Sequence, residues 1–506
     1  MSLAVLNSCA LSGLDFIDVR VEAHVAPGLP AFHIVGLPDA GIRESRERVR
    51  SALQASGFDF PAARLTINLA PADLPKDSGR FDLPIALAIL LASGQISRPD
   101  AQGRERAVPN LDRYVWAGEL SLTGAIVPVQ HALIIGLGMV RRRPEHCLML
   151  PADSAALAAH VPDVLVRGLA SLSDAVAYLR GELDVRNASP GPWEQPDVGP
   201  VSCLSDVVGQ PLACRALEVA AAGGHSLLLS GSPGVGKTML AQRLPGLLPP
   251  LDKQACLELA ALQSLALSNP CFSTRPPFRA PHHSVSAPAM IGGGMRPRPG
   301  EVSLAHHGVL FLDELPEFDR RVLEALREPL EEGCVRISRA HQQASYPARF
   351  QFVAAMNPCP CGWAGHRHHA CRCSPLRREQ YRQRLSGPLL DRIDLCVLMT
   401  EPSQDGGQSG DPSDQVRERV RLARDRQWAR QGCCNAHLSA AGLARHAGLS
   451  AQALQLLADA RRRWHWSERV HSRLLRVARS VADLAGEASV SREHAAQALQ
   501  FRPVLP

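Results

Sequence analysis

The chain has 506 residues, 45% of them hydrophobic, with a formal net charge of +6, which is material for about three domains at ~100–200 residues each. Its longest apolar run, LPIALAILLA at 83–92, falls far short of the ~20 residues a membrane-spanning helix requires. The amino terminus MSLAVLNSCALSGLDFIDVR lacks a basic leader and meets Asp15 and Asp18, so no secretory signal is expected. Most of the 14 cysteines are then read as reduced thiols of a cytoplasmic protein.

Residues 1–185 alternate short apolar runs (VRVEAHV, ARLTINLA, YVWAGEL, CLMLP) with helical stretches (AGIRESRERVRSALQASG, LPIALAILLASG), the rhythm of one α/β domain. The proline- and glycine-rich segment 186–203 reads as a linker. Strand and helix patterns resume over 204–401 and form a second α/β domain. After PSQDGGQSGDPSD, residues 402–506 carry four or five helical segments without a strand signal, a small all-helical domain. Charge is uneven: 17 basic and 20 acidic residues in 1–185, 22 and 18 in 186–400, and 16 and 11 in 401–506. The excess beyond residue 185 suits either a polyanionic partner or a solvated basic face. Of the 55 basic residues only Lys76, Lys237 and Lys253 are lysine.

HSLLLSGSPGVGKTML, 225–240, runs an apolar strand into G-x-x-x-x-G-K-T and a helix, a P-loop in its proper context. Its residues Gly231, Ser232, Pro233, Gly234, Val235, Gly236, Lys237 and Thr238 are predicted to bind ATP. Glycines let backbone amides face the phosphates, Lys237 reaches the β and γ oxygens, and Thr238 ligates magnesium. A lysine here, in a chain that otherwise uses arginine, is a compact ammonium that a guanidinium does not replace. GVLFLDELPEF then ends a buried strand in Asp313, predicted to hold magnesium through water, and Glu314, predicted to polarise the attacking water. The strand FQFVAAMN ends in Asn357, placed to sense the γ-phosphate or that water.

GxxxxGKT, FLDE, AAMNP and SGPLLDRIDL in this order resemble an AAA+ ATPase of the magnesium-chelatase-like branch. The strings FRAPHHS, GEVSLAHHGVLFLDELPEF, ALREPLEEG and YPARFQFVAAMNPCPCG resemble the YifB/ComM family over nearly the whole chain. The resemblance implies a Lon-like (ribosomal S5 domain 2-like) amino-terminal domain, an AAA+ P-loop core and a helical lid. It also implies that Val208, Gly209 and Gln210 lie by the adenine, that Arg392 is an arginine finger, and that Arg469 is the sensor 2 residue. Arg384 is a second finger candidate. A finger completes a neighbour's site and contributes on the order of 10³-fold to hydrolysis, so a homo-oligomeric ring is expected, a hexamer by resemblance. Lon-like proteases need a nucleophile and a base, but the expected serine position holds Arg80 and the expected lysine falls near Leu133. Ser78 with Lys76 has no recognisable motif, and Lys76 is equally a packing or salt-bridge residue, so the domain is expected to be protease-inactive.

Cys359, Cys361, Cys371 and Cys373 form C-x-C, nine residues, C-x-C within the loop 357–375. The pattern is open to a structural zinc site, a reduced surface cluster or a redox switch, with His366, His368 and His369 as alternative ligands. CVRISRAHQQASYPARFQF, two β-like runs around a polar tip, resembles the pre-sensor hairpin of ring helicases and offers Arg336, Arg339 and His341 to a channel. MIGGGMRPRPGE adds Arg296 and Arg298. Loop charge in solvent is the alternative for each. Two functions follow: a DNA translocase or helicase that binds single-stranded and branched DNA without sequence preference, which the resemblance connects to branch migration in natural transformation and recombination, or a chelatase-like or chaperone-like protein remodeller.

Overall fold

The computed structural model describes residues 2–36, 40–72, 79–96, 109–192, 202–266, 272–294, 297–339, 342–366, 368–401 and 409–502. The chain divides into two compact units, one of residues 1–194 with 263–272 and 340–344, the other of 195–262, 273–339 and 345–506. Both mix strands with helices. Among the described residues no helix is long and apolar enough to cross a membrane.

The first unit is built on a seven-stranded sheet in the order Ala31–Val35, Arg64–Ala70, Asp15–Ala26, Ser2–Ser12, Tyr114–Trp116, Cys147–Pro151, Leu165–Leu169. Ser2–Ser12 and Asp15–Ala26 form a long antiparallel hairpin, and Tyr114–Trp116, Cys147–Pro151 and Leu165–Leu169 add in parallel. Helix Asp82–Ala92 is buried almost all round, which explains why DLPIALAILLA shows no polar face. Its one acid, Asp82, is fully buried and accepts from Arg48 Nε at 2.7 Å and Nη2 at 3.2 Å, while burial pushes its carboxyl up. Arg80 and Leu133 are both buried. Lys76 and Ser78 lie outside the described residues. Within the expected linker, Ala188 still donates its N–H to the Val166 carbonyl, so the chain follows the sheet edge past residue 186.

The second unit contains a five-stranded parallel sheet in the order Phe278–Arg279, Val309–Leu312, Gln351–Met356, Leu227–Gly231, Leu395–Met399. The strand that comes first in sequence therefore sits between the fourth and the fifth. Leu227 is opposite both Val353 and Leu395, and Phe311 is also opposite Val353. VLFL, QFVAAM and LLLSG are buried along their whole length, so they read as unbroken apolar runs rather than alternating ones. Because all strands point one way, whatever follows their carboxyl ends is gathered on one edge of the sheet.

Five helices follow residue 410: Ser413–Gln431, Ala440–His446, Ala451–Trp464, Glu468–Ala485 and Arg492–Gln500. The apolar faces of four of them join one core with Pro211–Gly223 and the sheet, while Leu443 of Ala440–His446 packs in a separate small cluster with Leu438 and Ala447. At the centre of this bundle Asp483 is buried and accepts from three donors: Arg430 Nη1 at 2.7 Å, Arg479 Nη2 at 2.9 Å and Asn435 Nδ2 at 2.8 Å. Arg479 is itself fully buried and also donates to the Ala488 carbonyl at 2.7 Å. Removing the one carboxylate leaves a buried guanidinium uncompensated. Asp483→Ala is expected to cost about 3–5 kcal/mol, read as a lowered chemical-denaturation midpoint of the full chain, whereas Asp459→Ala, on an exposed ion pair with Arg462, should leave the midpoint within ~0.5 kcal/mol of its original stability.

Candidate nucleotide-binding site

The P-loop leaves the central strand at Gly231. A Cβ there would lie 2.6 Å from the Met399 carbonyl oxygen of the neighbouring strand, so close backbone approach demands glycine. Gly234 and Gly236 are glycine for another reason. Their φ values of 82° and 91° are left-handed, while nothing lies within 4 Å of an added Cβ. Helix Lys237–Ala241 starts immediately afterwards. Lys237 Nζ donates to the carbonyls of Gly231 at 2.7 Å and Ser232 at 2.9 Å, and to Asn357 Oδ1 at 3.0 Å. Burial lowers its ammonium from the ordinary lysine value, with Asp313 and Glu314 opposing that shift.

The Walker B acids arrive on the same edge. Thr238 Oγ1 donates to Asp313 Oδ2 at 2.6 Å, which puts a hydroxyl and a carboxylate side by side as hard oxygen donors. Magnesium keeps most of its shell as water and phosphate and takes only one or two protein oxygens, so this pair fits it. Glu314 sits at φ 51°, with its N–H on Asp313 Oδ1 at 2.9 Å, and this turn separates the directions of the two carboxylates. His283 Nδ1 lies 3.4 Å from Glu314 Oε2 and packs edge-on against Phe318. The sequence reading carried FRAPHHS only as part of a resemblance and gave His283 no role. Its signal was the HH pair directly after the strand that flanks Val309–Leu312.

Beyond Asn357 the four cysteines converge. Cys359, Cys361 and Cys371 have sulfurs 3.4–3.6 Å apart, and all four ligand atoms, Cys373 included, lie within 4.8 Å of one another. Tetrahedral zinc with bonds of about 2.3 Å sets its sulfurs about 3.8 Å apart, so the donor set fits that ion. Hydrogen bonding from the Trp363 backbone, chiefly, lowers the Cys361 thiol to about 6, and burial raises that of Cys359 to about 12. His366 instead faces Glu401, Nε2 to Oε1 at 2.5 Å.

The sequence matches the family described as magnesium chelatase, subunit ChlI over residues 203–406, the ChlI subunit of Mg-chelatase over 21–154, and the ChlI carboxy-terminal family over 410–502. It is 42% identical over 512 residues to an uncharacterized protein YifB of Salmonella typhimurium, covering 100% of this chain and 98% of that one. It is 43% identical over 514 residues to competence protein ComM of Haemophilus influenzae, with the same coverage of 100% and 98%. The chain belongs to the YifB/ComM family of magnesium-chelatase-like AAA+ proteins.

Val208 is exposed and bridges Ser409, Gly209 has φ 75°, and Gln210 Nε2 donates to the Thr400 carbonyl at 2.6 Å just past the last strand. Arg392 is held within its own chain, donating to the Pro388 carbonyl at 2.6 Å and pairing with Glu331. Arg384 pairs with Glu317 at 2.7 Å, three residues past Glu314. Arg469 is exposed in the first turn of Glu468–Ala485. Among the described residues no hydrogen bond or ion pair joins Arg392 or Arg469 to the P-loop cluster.

The two arginine-bearing insertions of this YifB/ComM chain are brought together. Gly292–Gly293 pairs antiparallel with Arg298–Pro299, and Cys334–Arg339 with Gln342–Pro347. Buried Tyr346 donates its hydroxyl to the Pro297 carbonyl at 2.6 Å, and Ile337 abuts Gly292. Arg298 and Arg336 are exposed, but Arg336 is engaged by Glu332 at 2.6 Å. Arg296, His341 and the Arg339 side chain lie outside the described residues.

A second group of possible ligands, Glu258, His306 and His307, sits before the Walker B strand. The Arg349 N–H donates to His306 Nδ1 at 3.0 Å, which leaves the proton on Nε2, 3.6 Å from Glu258. That tautomer turns a proton rather than a lone pair toward the cluster, and a neutral His306 suits a clamp more than a metal. Burial lowers the His306 value, and the histidines hold Glu258 well below the usual carboxylate range. Both folded values are depressed, so their stabilisation is full above about pH 6.5 and is lost as pH falls, first through His306 and then, below about 4.3, through Glu258. Denaturation midpoints should fall between pH 8 and 5.5, and His306→Asn, which keeps an acceptor for Arg349, should show a smaller fall.

Proposed function

We propose that this protein is an ATP-driven, ring-forming DNA translocase that promotes branch migration, working in the cytoplasm in natural transformation and homologous recombination. The observation that carries the motor is the convergence of Lys237, Thr238, Asp313, Glu314 and Asn357 on one edge of a parallel sheet. In this reading residues 231–238 cradle the triphosphate and Val208, Gly209 and Gln210 border the adenine. Thr238 and Asp313 hold magnesium, which when bound neutralises phosphate charge. Glu314 orients and polarises the attacking water, and Asn357 fixes the γ-phosphate side of the site. Arg392 acts on the neighbouring subunit of a hexamer and Arg469 reaches the nucleotide from a helical lid. Arg392 must then leave Glu331 when the neighbour docks. The amino-terminal unit is a protease-inactive Lon-like domain, and the four cysteines hold a structural zinc.

The DNA reading is supported by the packing of two arginine-bearing hairpins on each other through Tyr346 and Pro297; in this reading Arg296, Arg298, Arg336, Arg339 and His341 act on one strand. Backbone contact without base readout suits movement along any sequence. The name of the Haemophilus influenzae relative, competence protein ComM, supports the biological setting.

Lys237→Ala is expected to abolish ATP turnover, and Glu314→Gln to retain ATP without hydrolysing it; either variant turning over at more than about a tenth of the native rate sinks the site. Single-stranded and branched DNA should raise the ATPase rate, with binding that weakens steeply with salt. Arg336→Ala with Arg339→Ala should flatten the salt slope and uncouple DNA from ATPase while basal turnover persists. If DNA of every form leaves turnover unchanged at low salt, a motor acting on a protein partner replaces the translocase.

A further inference from the structure

The four-cysteine loop does more than gather its own sulfurs, because it lies against the P-loop. Gly362, directly after Cys361, has φ 83°, and a Cβ built there would be 2.6 Å from Cδ and 2.7 Å from Cγ of Pro233. Pro233 is the third residue of GSPGVGKT. On the strand side of this contact Asn357 accepts from Lys237 at 3.0 Å. On the other side Ala364, Gly365 and His366 share a cavity of about 320 Å³ with Gly231 and Ser232. Residues 357–366 thus touch the P-loop at Pro233 and at Lys237 and share a cavity with its first two residues.

Within the segment, Trp363 packs against His366 and His369, and His366 pairs with Glu401. Gly365, His368, His369 and Ala370 are exposed, and among the described residues between Asn357 and Ser374 there is neither helix nor strand. What joins its two ends is the sulfur cluster, in which Cys359 and Cys373 are buried. Joining Cys359 and Cys361 to Cys371 and Cys373 through one ion closes the loop and converts binding energy into local order.

We infer that the metal-loaded four-cysteine loop clamps the P-loop, with Gly362 as the positioning residue, so that nucleotide affinity depends on metal occupancy. The inference rests on the ATP-binding reading and adds to it a second ion that never touches the nucleotide. Gly362 is required twice over, by its left-handed backbone and by the space Pro233 fills. Gly365 separates these two demands, since its φ is 80° but nothing lies within 4 Å of an added Cβ.

The test uses the full-length protein, zinc content by elemental analysis and affinity for a fluorescent ATP analogue by titration. Gly362→Ala should keep its zinc and bind the analogue roughly tenfold or more weakly, whereas Gly365→Ala, with the same backbone strain, should bind as the native chain does. Native protein stripped by a chelator should lose affinity and regain it when zinc alone is returned, an arm that depends on no variant folding. Equal affinity of Gly362→Ala and native protein, an equal loss in Gly365→Ala, or stripped protein that binds undiminished overturns the clamp. Zinc-loaded native protein that binds no nucleotide overturns the ATP site itself and the clamp with it, a result distinct from the other three.

Discussion

The second unit depends on one constraint: the strand Leu227–Gly231 has a parallel neighbour on each side, and all three strands end at the same edge. Parallel pairing fixes the relative height of strand ends, so Gly231, Met356 and Met399 stop together, with Leu312 one strand further out. The polar residues that follow have nowhere else to go. Lys237 meets Asn357 and Thr238 meets Asp313 because backbone ladders have already set their starting points. A one-residue slip of Gln351–Met356 would turn its side chains to the opposite face and carry Asn357 away from the lysine. The site is therefore as well defined as the sheet, without needing long side chains to reach for one another.

The opposite edge of the sheet, where the strands start, is tied by residues far apart in sequence. The Asp394 carboxylate accepts from the Ser226 N–H at 3.2 Å, and Asp394 N–H bonds the Ser226 hydroxyl at 2.9 Å, pinning the LLDRID turn to the start of the P-loop strand. The Ser226 hydroxyl donates in turn to the Arg392 carbonyl at 2.9 Å. His225 lies against both Asp394 at 3.3 Å and Ser480 at 2.7 Å, so the same turn reaches helix Glu468–Ala485. These hydrogen bonds join the Arg392 backbone to the start of the P-loop strand and, through His225, to helix Glu468–Ala485.

What could be read from the sequence follows from these constraints. LLLSG, VLFL and QFVAAM were legible because strands covered on both faces must be apolar throughout, and the P-loop because its glycines and lysine are tied to one geometry. The carboxy-terminal helices were legible from periodicity as four or five segments. Contacts between segments distant in sequence were not. His283 reaches Glu314 across about thirty residues, Gly362 reaches Pro233 across more than a hundred, and neither leaves a spacing to recognise. The pairing of Arg392 with Glu331 was equally hidden, since an arginine in a motif looks the same whether it points to a neighbour or to its own chain.

The dominance of arginine bears on how the positive charge is to be understood. Arg243 donates to the Cys203 and Met239 carbonyls, each at 2.6 Å, Arg417 to Gly246 at 2.7 Å, Arg424 to Ala221 at 2.9 Å, and Arg476 to Leu438 at 2.7 Å. A guanidinium serves two acceptors at once and keeps its charge when partly buried, which an ammonium on a flexible stem does less well. Much of the excess beyond residue 185 is therefore spent joining helix ends and turns of the second unit. Charge that does this is not offered to a polyanion. The positive charge open to a polyanion is that of exposed arginines such as Arg298 on the two hairpins joined through Tyr346 and Pro297, not the net charge of +6. By the same reasoning Lys237 stands apart: a compact cation sits among the Gly231 and Ser232 carbonyls and Asn357 in a chain that uses arginine almost everywhere else.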